Sequence, residues 1–503
     1  MLLSDALLAQ AKNQQSIHRP LIHRRPILID PIGARNAEQI LDDVGRIISW
    51  LTMQCAFAHH DELFGKTIAY VGLNSRWHID LLLACEQLGA MFMPINYRLA
   101  APEIHAQLTD AQSVLLICDE GMANLAQQVH KCAAHHSYSV TLNTADLTAY
   151  PYQAATQRHS DNPCLLVYTS GSTGQAKGVL HSPKTLMANA IAAWDAHDMT
   201  ANDRILSALP LFHVGGLCIQ TLPALLLGAQ VRLLARFDPA GWLSAVAADQ
   251  ITLSLLVPPV MKALLEHSDF ETTNLSSLRL LMAGSSIVPK NLIDAFHHRG
   301  LLLGQVYGAT ETGPVSIVLK ADQALHKVGF AGWPAKDVSV TLLNETNAIG
   351  EIALRAPNLM LGYLHELLRD RNMWFATGDL ATRSSDGCYR VVGRSNELII
   401  SGGENIHPAE IENQLLTIAG IAEVAVIGQP DERWGEVAVA CLVADVGMEP
   451  MADEILRNIL EAHIARFKIP RAFVWMNSLP KSALGKVQKA DLKIQVAKKQ
   501  AIK

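Results

Sequence analysis

Leu166-Val167-Tyr168-Thr169-Ser170-Gly171-Ser172-Thr173-Gly174-Gln175-Ala176-Lys177-Gly178-Val179 is the stretch on which the reading of this chain turns. The apolar run 164–168 has the composition of a buried strand. It opens into a loop of glycines, hydroxyls and one lysine. Gly171, Gly174 and Gly178 allow tight turns and close approach of backbone N–H groups to a ligand. Thr169, Ser170, Ser172 and Thr173, with Lys177, supply donors for anionic oxygens. The combination suits the β- and γ-phosphates of a nucleotide. A Walker P-loop sets Ser or Thr directly after its lysine to hold Mg²⁺. Here Gly178 follows Lys177, so this is a different phosphate loop.

The 503 residues predict two or more domains. Half the residues are apolar and 17% are charged, ample for large buried cores. A formal net charge of -6 creates no field for nucleic acid, and no such partner is expected. Cysteines 55, 85, 118, 132, 164, 218, 388 and 441 form no CxxC pair and mostly lie in apolar runs. They read as reduced, buried thiols of a cytoplasmic protein. The histidines, including the pairs His59-His60, His135-His136 and His297-His298, lack metal-ligand spacing with cysteine and read as surface or core residues. The opening Met1-Leu2-Leu3-Ser4-Asp5 lacks a basic-then-apolar signal pattern. The apolar region 217–234 is broken by Gln220, Pro223, Gln230 and Arg232, too polar for an integral membrane segment.

Short apolar runs at 67–72, 113–118, 164–168, 204–208, 230–234 and 278–282 read as strands. Helical patterns at 78–88, 186–196 and 239–248 lie between them. That alternation predicts an α/β architecture with largely buried parallel strands. Near residue 395 the pattern changes to a helix over 409–416, strands over 422–427 and 437–443, and a helix over 452–465. A large N-terminal domain (1–394) and a small α+β C-terminal domain (395–503) are expected. The lysine-rich tail from Lys489 onward is expected to fray.

Five further stretches carry chemistry: Gln305-Val306-Tyr307-Gly308-Ala309-Thr310-Glu311; Phe375-Ala376-Thr377-Gly378-Asp379; Gly393-Arg394-Ser395-Asn396-Glu397 with Ser401-Gly402-Gly403 beyond it; Leu479-Pro480-Lys481-Ser482-Ala483-Leu484-Gly485-Lys486; and Leu209-Pro210-Leu211-Phe212-His213-Val214-Gly215-Gly216. A divalent cation seeks hard oxygen ligands such as Glu311. An ionised Asp379 suits a diol. A lysine such as Lys486 can bring a carboxylate and a phosphate together.

With the first loop, these stretches resemble the signatures of the adenylate-forming enzymes: acyl-CoA synthetases, non-ribosomal peptide adenylation domains and luciferases. The resemblance runs from about residue 68 to about residue 490 and departs at Ala176, where proline is usual. It implies a large N-terminal domain with a small mobile C-terminal lid. It implies that Tyr307 stacks on adenine beside Gly308 and Ala309, and that Gly284, Ser285 and Ser286 line the adenine pocket. Thr310 would donate to the α-phosphate and Glu311 would hold Mg²⁺. Asp379 would accept from both ribose hydroxyls, with Arg394 reaching ribose or phosphate. Asn396 stands at the hinge, where relatives carry Asp or Lys. Ser401, Gly402 and Gly403 would meet the pantetheine arm of CoA, His213 would border the acyl pocket, and Lys486 would catalyse adenylation. The stretches 363–374 and 344–350 look like trimmed loops.

The resemblance implies an ATP-dependent, AMP-forming acid–CoA ligase using ATP, Mg²⁺ and CoA, a monomer or homodimer whose partners are small molecules. A medium- or long-chain fatty acid is expected first, with aromatic acids of cinnamate or succinylbenzoate type as the alternative. Glu311-Thr312-Gly313-Pro314-Val315 resembles plant-type hydroxycinnamate ligases. Transfer to a carrier protein and non-catalytic nucleotide binding are rival readings. Non-catalytic binding predicts loss of Lys486, Glu311 or Asp379, and all three are present.

Overall fold

The computed structural model describes residues 2–15, 25–55, 59–132, 138–141, 147–154, 160–170, 176–284, 288–346, 348–401, 404–431, 433–482 and 485–501. Two large sheets form the N-terminal part. Among the described residues, one has nine strands in the order Trp333–Pro334, Ile317–Leu319, Leu303–Tyr307, Leu280–Gly284, Leu253–Leu256, Arg204–Ser207, Gln230–Leu233, Leu28–Asp30 and Gly33–Arg35. The run from Leu303–Tyr307 to Leu28–Asp30 is parallel. The other has seven, ordered Gly362–Tyr363, Ala176–His181, Leu165–Ser170, Met91–Ile95, Thr67–Val71, Ser113–Cys118 and Tyr138–Thr141.

The central strands read as unbroken apolar runs because both faces are covered. Thr67–Val71, Leu253–Leu256 and Leu280–Gly284 are buried at every position. The expected strand over 278–282 lies two residues later, at Leu280–Gly284. The helix expected over 78–88 is Trp77–Leu88, stopped by Gly89 at φ 65°. Those over 186–196 and 239–248 begin earlier or end later, as Pro183–Ala196 and Pro239–Asp249. Each opens with proline behind a capping side chain, Ser182 or Asp238.

The two strands that flank the expected phosphate loop pair with each other. Leu165–Ser170 pairs antiparallel with Ala176–His181, and Thr169 faces Lys177. Lys177 therefore stands on the returning strand rather than in the loop, because Gly178 and Val179 continue as sheet. A four-stranded antiparallel sheet follows, ordered Ser339–Thr346, Ile349–Arg355, Phe375–Arg383 and Tyr389–Arg394. Its last pair sets Asp379 directly opposite Arg394.

Beyond it the chain builds a separate core on a sheet of Glu404–Ile406, Ile399–Ser401, Gly435–Ala444, Ile421–Asp431 and Ala472–Trp475. Pro408–Leu415 and Asp453–Glu461 bury Ile411, Leu415, Leu456 and Leu460 against one face. Leu479, Leu492 and Val496 cover the other. This corrects the expectation for the tail. Lys489–Ala501 is a helix whose Leu492 and Val496 are fully buried. Its first residue, Lys489, is held between Glu397 (2.9 Å) and Glu412 (2.8 Å). Cys85, Cys118, Cys164, Cys218, Cys388 and Cys441 are buried as expected; Cys132 is exposed and Cys55 half-buried. No helix among the described residues is long and apolar enough to cross a membrane.

Candidate active site

Cross-strand pairing brings the polar residues of three separate motifs together. Asp379 accepts from Arg394 Nε at 2.9 Å and from the Tyr307 hydroxyl at 2.8 Å. Tyr307 also reaches Thr377 Oγ1 at 3.2 Å, and Thr377 donates to the Ile352 carbonyl. Tyr307 was expected to present its ring; its hydroxyl also orients the acidic group. Burial and the neighbouring Asp379 push the Tyr307 phenol up, so it stays a donor. Gly308 follows it because a side chain there would strike the Pro314 carbonyl, 2.4 Å from an added Cβ. Gly284 likewise abuts the Val306 carbonyl at 2.5 Å.

Lys486, more than a hundred residues after Asp379 in the chain, enters the same cluster. Burial lowers the affinity of its ammonium for the proton, and Arg394 adds to that, while Asp379 and Glu397 oppose it. Burial acts to raise the Glu397 carboxyl, but Lys489, Lys486 and Arg394 outweigh it and hold it below the ordinary range. The turn before Lys486 is closed by Ser482 N–H to the Lys486 carbonyl at 2.7 Å and Gly485 N–H to the Ser482 carbonyl at 2.8 Å. Gly485 has φ 77°, and its Cα packs on Pro259, whose Cγ lies 2.3 Å from where a Cβ would stand. Pro259 belongs to the N-terminal helix Pro258–Leu265. The C-terminal unit thus docks with its lysine turned inward.

The Thr310 turn is fixed from behind. Its carbonyl accepts from Nε2 of the fully buried His181 at 2.7 Å. A carbonyl cannot donate, so Nε2 carries the proton. Burial pushes His181 down to about 4, and the ring is neutral at pH 7. His181 ends the strand Ala176–His181, so one bond joins the two segments expected to face the phosphates. Glu311 accepts from the Tyr363 hydroxyl at 3.2 Å, and Lys177 Nζ stands 4.7 Å from the Tyr363 ring centre. Among the described residues no group of three metal-ligating side chains occurs. That donor set fits Mg²⁺, which keeps most of its ligands as water and phosphate oxygen and takes one or two carboxylates from protein.

His213 caps the short helix Val214–Gly216, accepting from Gly215 N–H at its Nδ1 at 3.0 Å. The proton therefore sits on Nε2, and burial pushes the ring down to about 4. The helix continues as a π-turn, Leu217–Thr221. Buried Asn189 ties that turn to the loop after Glu311, donating to the Cys218 carbonyl at 2.7 Å and accepting from Val315 N–H at 3.2 Å.

Ala309 N–H donates to Thr312 Oγ1 at 2.8 Å, which shapes the Thr310–Thr312 turn. Thr169 Oγ1 approaches the Lys177 carbonyl at 3.5 Å. Asn396 is exposed on the turn Ser395–Glu397. Ser401 ends the strand Ile399–Ser401, and no hydrogen bond among the described residues joins it to Asp379 or Lys486. Gly171, Ser172, Thr173, Gly174, Ser285, Ser286, Gly402 and Gly403 lie outside the described residues, as does the side chain of Ser170. Sequence reasoning missed Tyr363, His181 and Asn189, and it quoted Thr377 only as part of the stretch ending in Asp379, without a role of its own. Tyr363 sits in a stretch read as a trimmed loop, and His181 and Asn189 carry no local signal, because their partners lie far away in the chain.

Residues 38–364 match the AMP-binding enzyme family, and residues 410–486 match the AMP-binding enzyme C-terminal domain. The chain is 41% identical to indoleacetate–CoA ligase of Aromatoleum aromaticum over 86% of this chain and 88% of the relative. It is 38% identical to feruloyl-CoA synthase of an Amycolatopsis species over 85% and 88%. The fold is similar to that of o-succinylbenzoate CoA synthetase from Bacillus subtilis in complex with its acyl-adenylate intermediate, with a TM-score of 0.84 and 27% identity over 97% of each chain. That protein in complex with ATP and magnesium ion gives a TM-score of 0.83 at 27% identity, over 97% and 99%. With both domains matched, and the polar residues of distant motifs gathered around Asp379, the chain belongs to the AMP-binding enzyme family and is an adenylate-forming acid–CoA ligase.

Proposed function

We propose that this ligase activates an aromatic carboxylic acid, of arylacetic or arylpropenoic type, and transfers it to CoA. The acids of the two curated relatives, indoleacetate and ferulate, support an aromatic ring. They reverse the order expected from the sequence, which put a fatty acid first. The observation that carries the chemistry is the gathering of Lys486 with Asp379, Arg394 and Tyr307.

In the first half-reaction a carboxylate oxygen attacks the α-phosphorus of ATP in line. A P–O bond forms to the acid, and the bond to pyrophosphate breaks. Both reactants are anionic, so the Lys486 ammonium, held between them, lowers the barrier. Tyr307 packs on adenine, Asp379 accepts from the ribose hydroxyls, and Arg394 and Tyr307 hold that carboxylate in place. Thr310 donates to the α-phosphate, while the hairpin and Lys177 hold the β- and γ-phosphates. Glu311 would hold Mg²⁺, which would supply charge neutralisation of the triphosphate when bound. The unit after residue 394 then turns about Asn396, withdraws Lys486 and brings Ser401, Gly402 and Gly403 to the pantetheine arm. The CoA sulfur attacks the acyl carbon, the thiol proton is lost, and AMP leaves with the electrons of the anhydride bond.

The test is acid-dependent pyrophosphate release over a panel of aromatic and fatty acids, with and without CoA. Aromatic acids that release pyrophosphate, consume CoA and form AMP are the expected result. Turnover confined to fatty acids overturns the aromatic reading. Adenylate that forms and ignores CoA points to a carrier-protein thiol.

A further inference from the structure

Tyr363 has no part in the chemistry above, yet it touches two charged groups that do. Gly362–Tyr363 is a short edge strand of the seven-stranded sheet, paired antiparallel with Ala176–His181. Leu361 N–H donates to the Leu180 carbonyl at 2.8 Å and Leu364 N–H to the Gly178 carbonyl at 2.7 Å, which fixes the register on both sides of Tyr363. Tyr363 stands opposite Val179, and Lys177 is two positions from Val179, on the same face of the sheet. Lys177 is therefore a diagonal neighbour of Tyr363, a separation that long and aromatic side chains bridge. Its ammonium accordingly lies 4.7 Å from the centre of the Tyr363 ring.

The same segment grips Glu311 at two points. Met360 N–H donates to its carbonyl at 2.9 Å, and the Tyr363 hydroxyl donates to its Oε1 at 3.2 Å. A carboxylate has about four lone-pair sites, so one bond from a phenol leaves room for a cation while it limits how the group turns. Lys177 and Glu311 thus meet different parts of one side chain, the ammonium at the ring and the carboxylate at the hydroxyl. A phenol can serve both, because its ring face is negative and its hydroxyl hydrogen is positive. Among the described residues no ion pair joins Lys177 to Glu311, although opposite charges this near a common neighbour attract one another.

We propose that Tyr363 is a positioning residue for adenylation: it holds the Glu311 carboxylate in place for Mg²⁺ and keeps the Lys177 ammonium off that carboxylate, available to the triphosphate. This rests on the roles proposed above for Glu311 and Lys177 and adds the residue that sets both. With the ring absent, the two charges are drawn together, and each is lost to its own ligand. With the ring present and the hydroxyl absent, only the carboxylate loses its hold. Substitution therefore separates the two actions of the side chain.

Equilibrium binding tests this without turnover. The affinity for ATP is measured with excess Mg²⁺ and again in EDTA, with neither acid nor CoA present. The ratio of the two reads the contribution of the metal, and the EDTA value reads the grip of the chain itself on phosphate. Glu311→Gln is the control for the metal, and Lys177→Ala is the control for phosphate. Tyr363→Phe is expected to cut the ratio about tenfold and to leave the EDTA affinity at the wild-type value, which also shows that the variant is folded. Tyr363→Leu is expected to cut the ratio at least as far and to weaken the EDTA affinity about threefold or more, an added loss that disappears in a Lys177→Ala background. If Tyr363→Phe keeps the wild-type ratio, whether or not both affinities fall together, while Glu311→Gln lowers it, the inference is overturned and the proposed role of Glu311 stands. It is also overturned if Tyr363→Leu binds ATP in EDTA as tightly as Tyr363→Phe does. A ratio that Glu311→Gln itself leaves unchanged overturns the assignment of Glu311 to the metal, and this inference with it.

Discussion

Gly485→Ala separates the two half-reactions. An alanine at φ 77° carries the left-handed strain of an L-residue, about 1–2 kcal/mol, wherever the C-terminal unit stands. Its Cβ would also lie 2.3 Å from Pro259 Cγ and 3.2 Å from Pro259 Cβ, and the proposed domain turn, which withdraws Lys486, would break this contact. The proline ring is stiff and sits in the first turn of Pro258–Leu265, so it yields little. Overpacking of this kind costs about 1–3 kcal/mol. At about 1.4 kcal/mol per tenfold, adenylation should slow roughly 5- to 150-fold through the clash alone. The assay measures pyrophosphate release for adenylation, and thioester formation from supplied acyl adenylate and CoA for the second step. Only the first should fall by that factor. Pro259→Ala in the same chain removes the Cγ and should restore most of the loss, a coupling that a double-mutant cycle reads directly. Equal loss in both half-reactions, or no rescue by Pro259→Ala, would refute the assignment of this contact to the adenylating arrangement.

Lys486→Ala should nearly abolish pyrophosphate release and leave thioester formation from supplied acyl adenylate in place; equal loss of both counts against its role. His181→Leu leaves the buried Thr310 carbonyl without its donor, a loss of about 1–3 kcal/mol that should slow adenylation by roughly 5- to 150-fold. His181→Gln, which keeps an N–H at similar reach, should recover a large part of it, and equal rates for the two variants would show that the hydrogen bond is idle. Burial pushes His78 down to about 3 and His181, His197 and His213 down to about 4, while it pushes Glu86, which caps the first helix through Ser4 N–H at 3.1 Å, up to about 7 and Asp80, against the pull of Arg35, up to about 6. The depressed histidines bind protons on unfolding and the two raised carboxyls release them, so near pH 5 net uptake is roughly two protons; stability should fall by about 2.7 kcal/mol per pH unit there, the loss running from about pH 6.5 toward 4. Urea midpoints that stay level across that window would disprove it.

The motifs were legible because each is a run of neighbours in the chain. Tyr307-Gly308, Thr310-Glu311, Thr377-Gly378-Asp379 and Gly485-Lys486 are local patterns, and the alternation of apolar runs gave the α/β class. The limits of strands and helices moved by a residue or two, since pairing partners decide where an apolar run stops. The tail was misread for a related reason. Lysine-rich composition suggests a fraying end, but Leu492 and Val496 fall on one helical face, and Lys489 meets two carboxylates, Glu397 and Glu412.

The sequence alone thus determined the reaction class, because phosphate, ribose and carboxylate each demand particular side chains in short fixed order. Only the tertiary structure decided how those pieces meet. Asp379 pairs across a sheet with Arg394, His181 holds Thr310 from 129 positions away, and Gly485 docks on Pro259. Hydrogen bonds and van der Waals contacts act over a few ångströms of space, whatever the separation along the chain, so no local pattern records them.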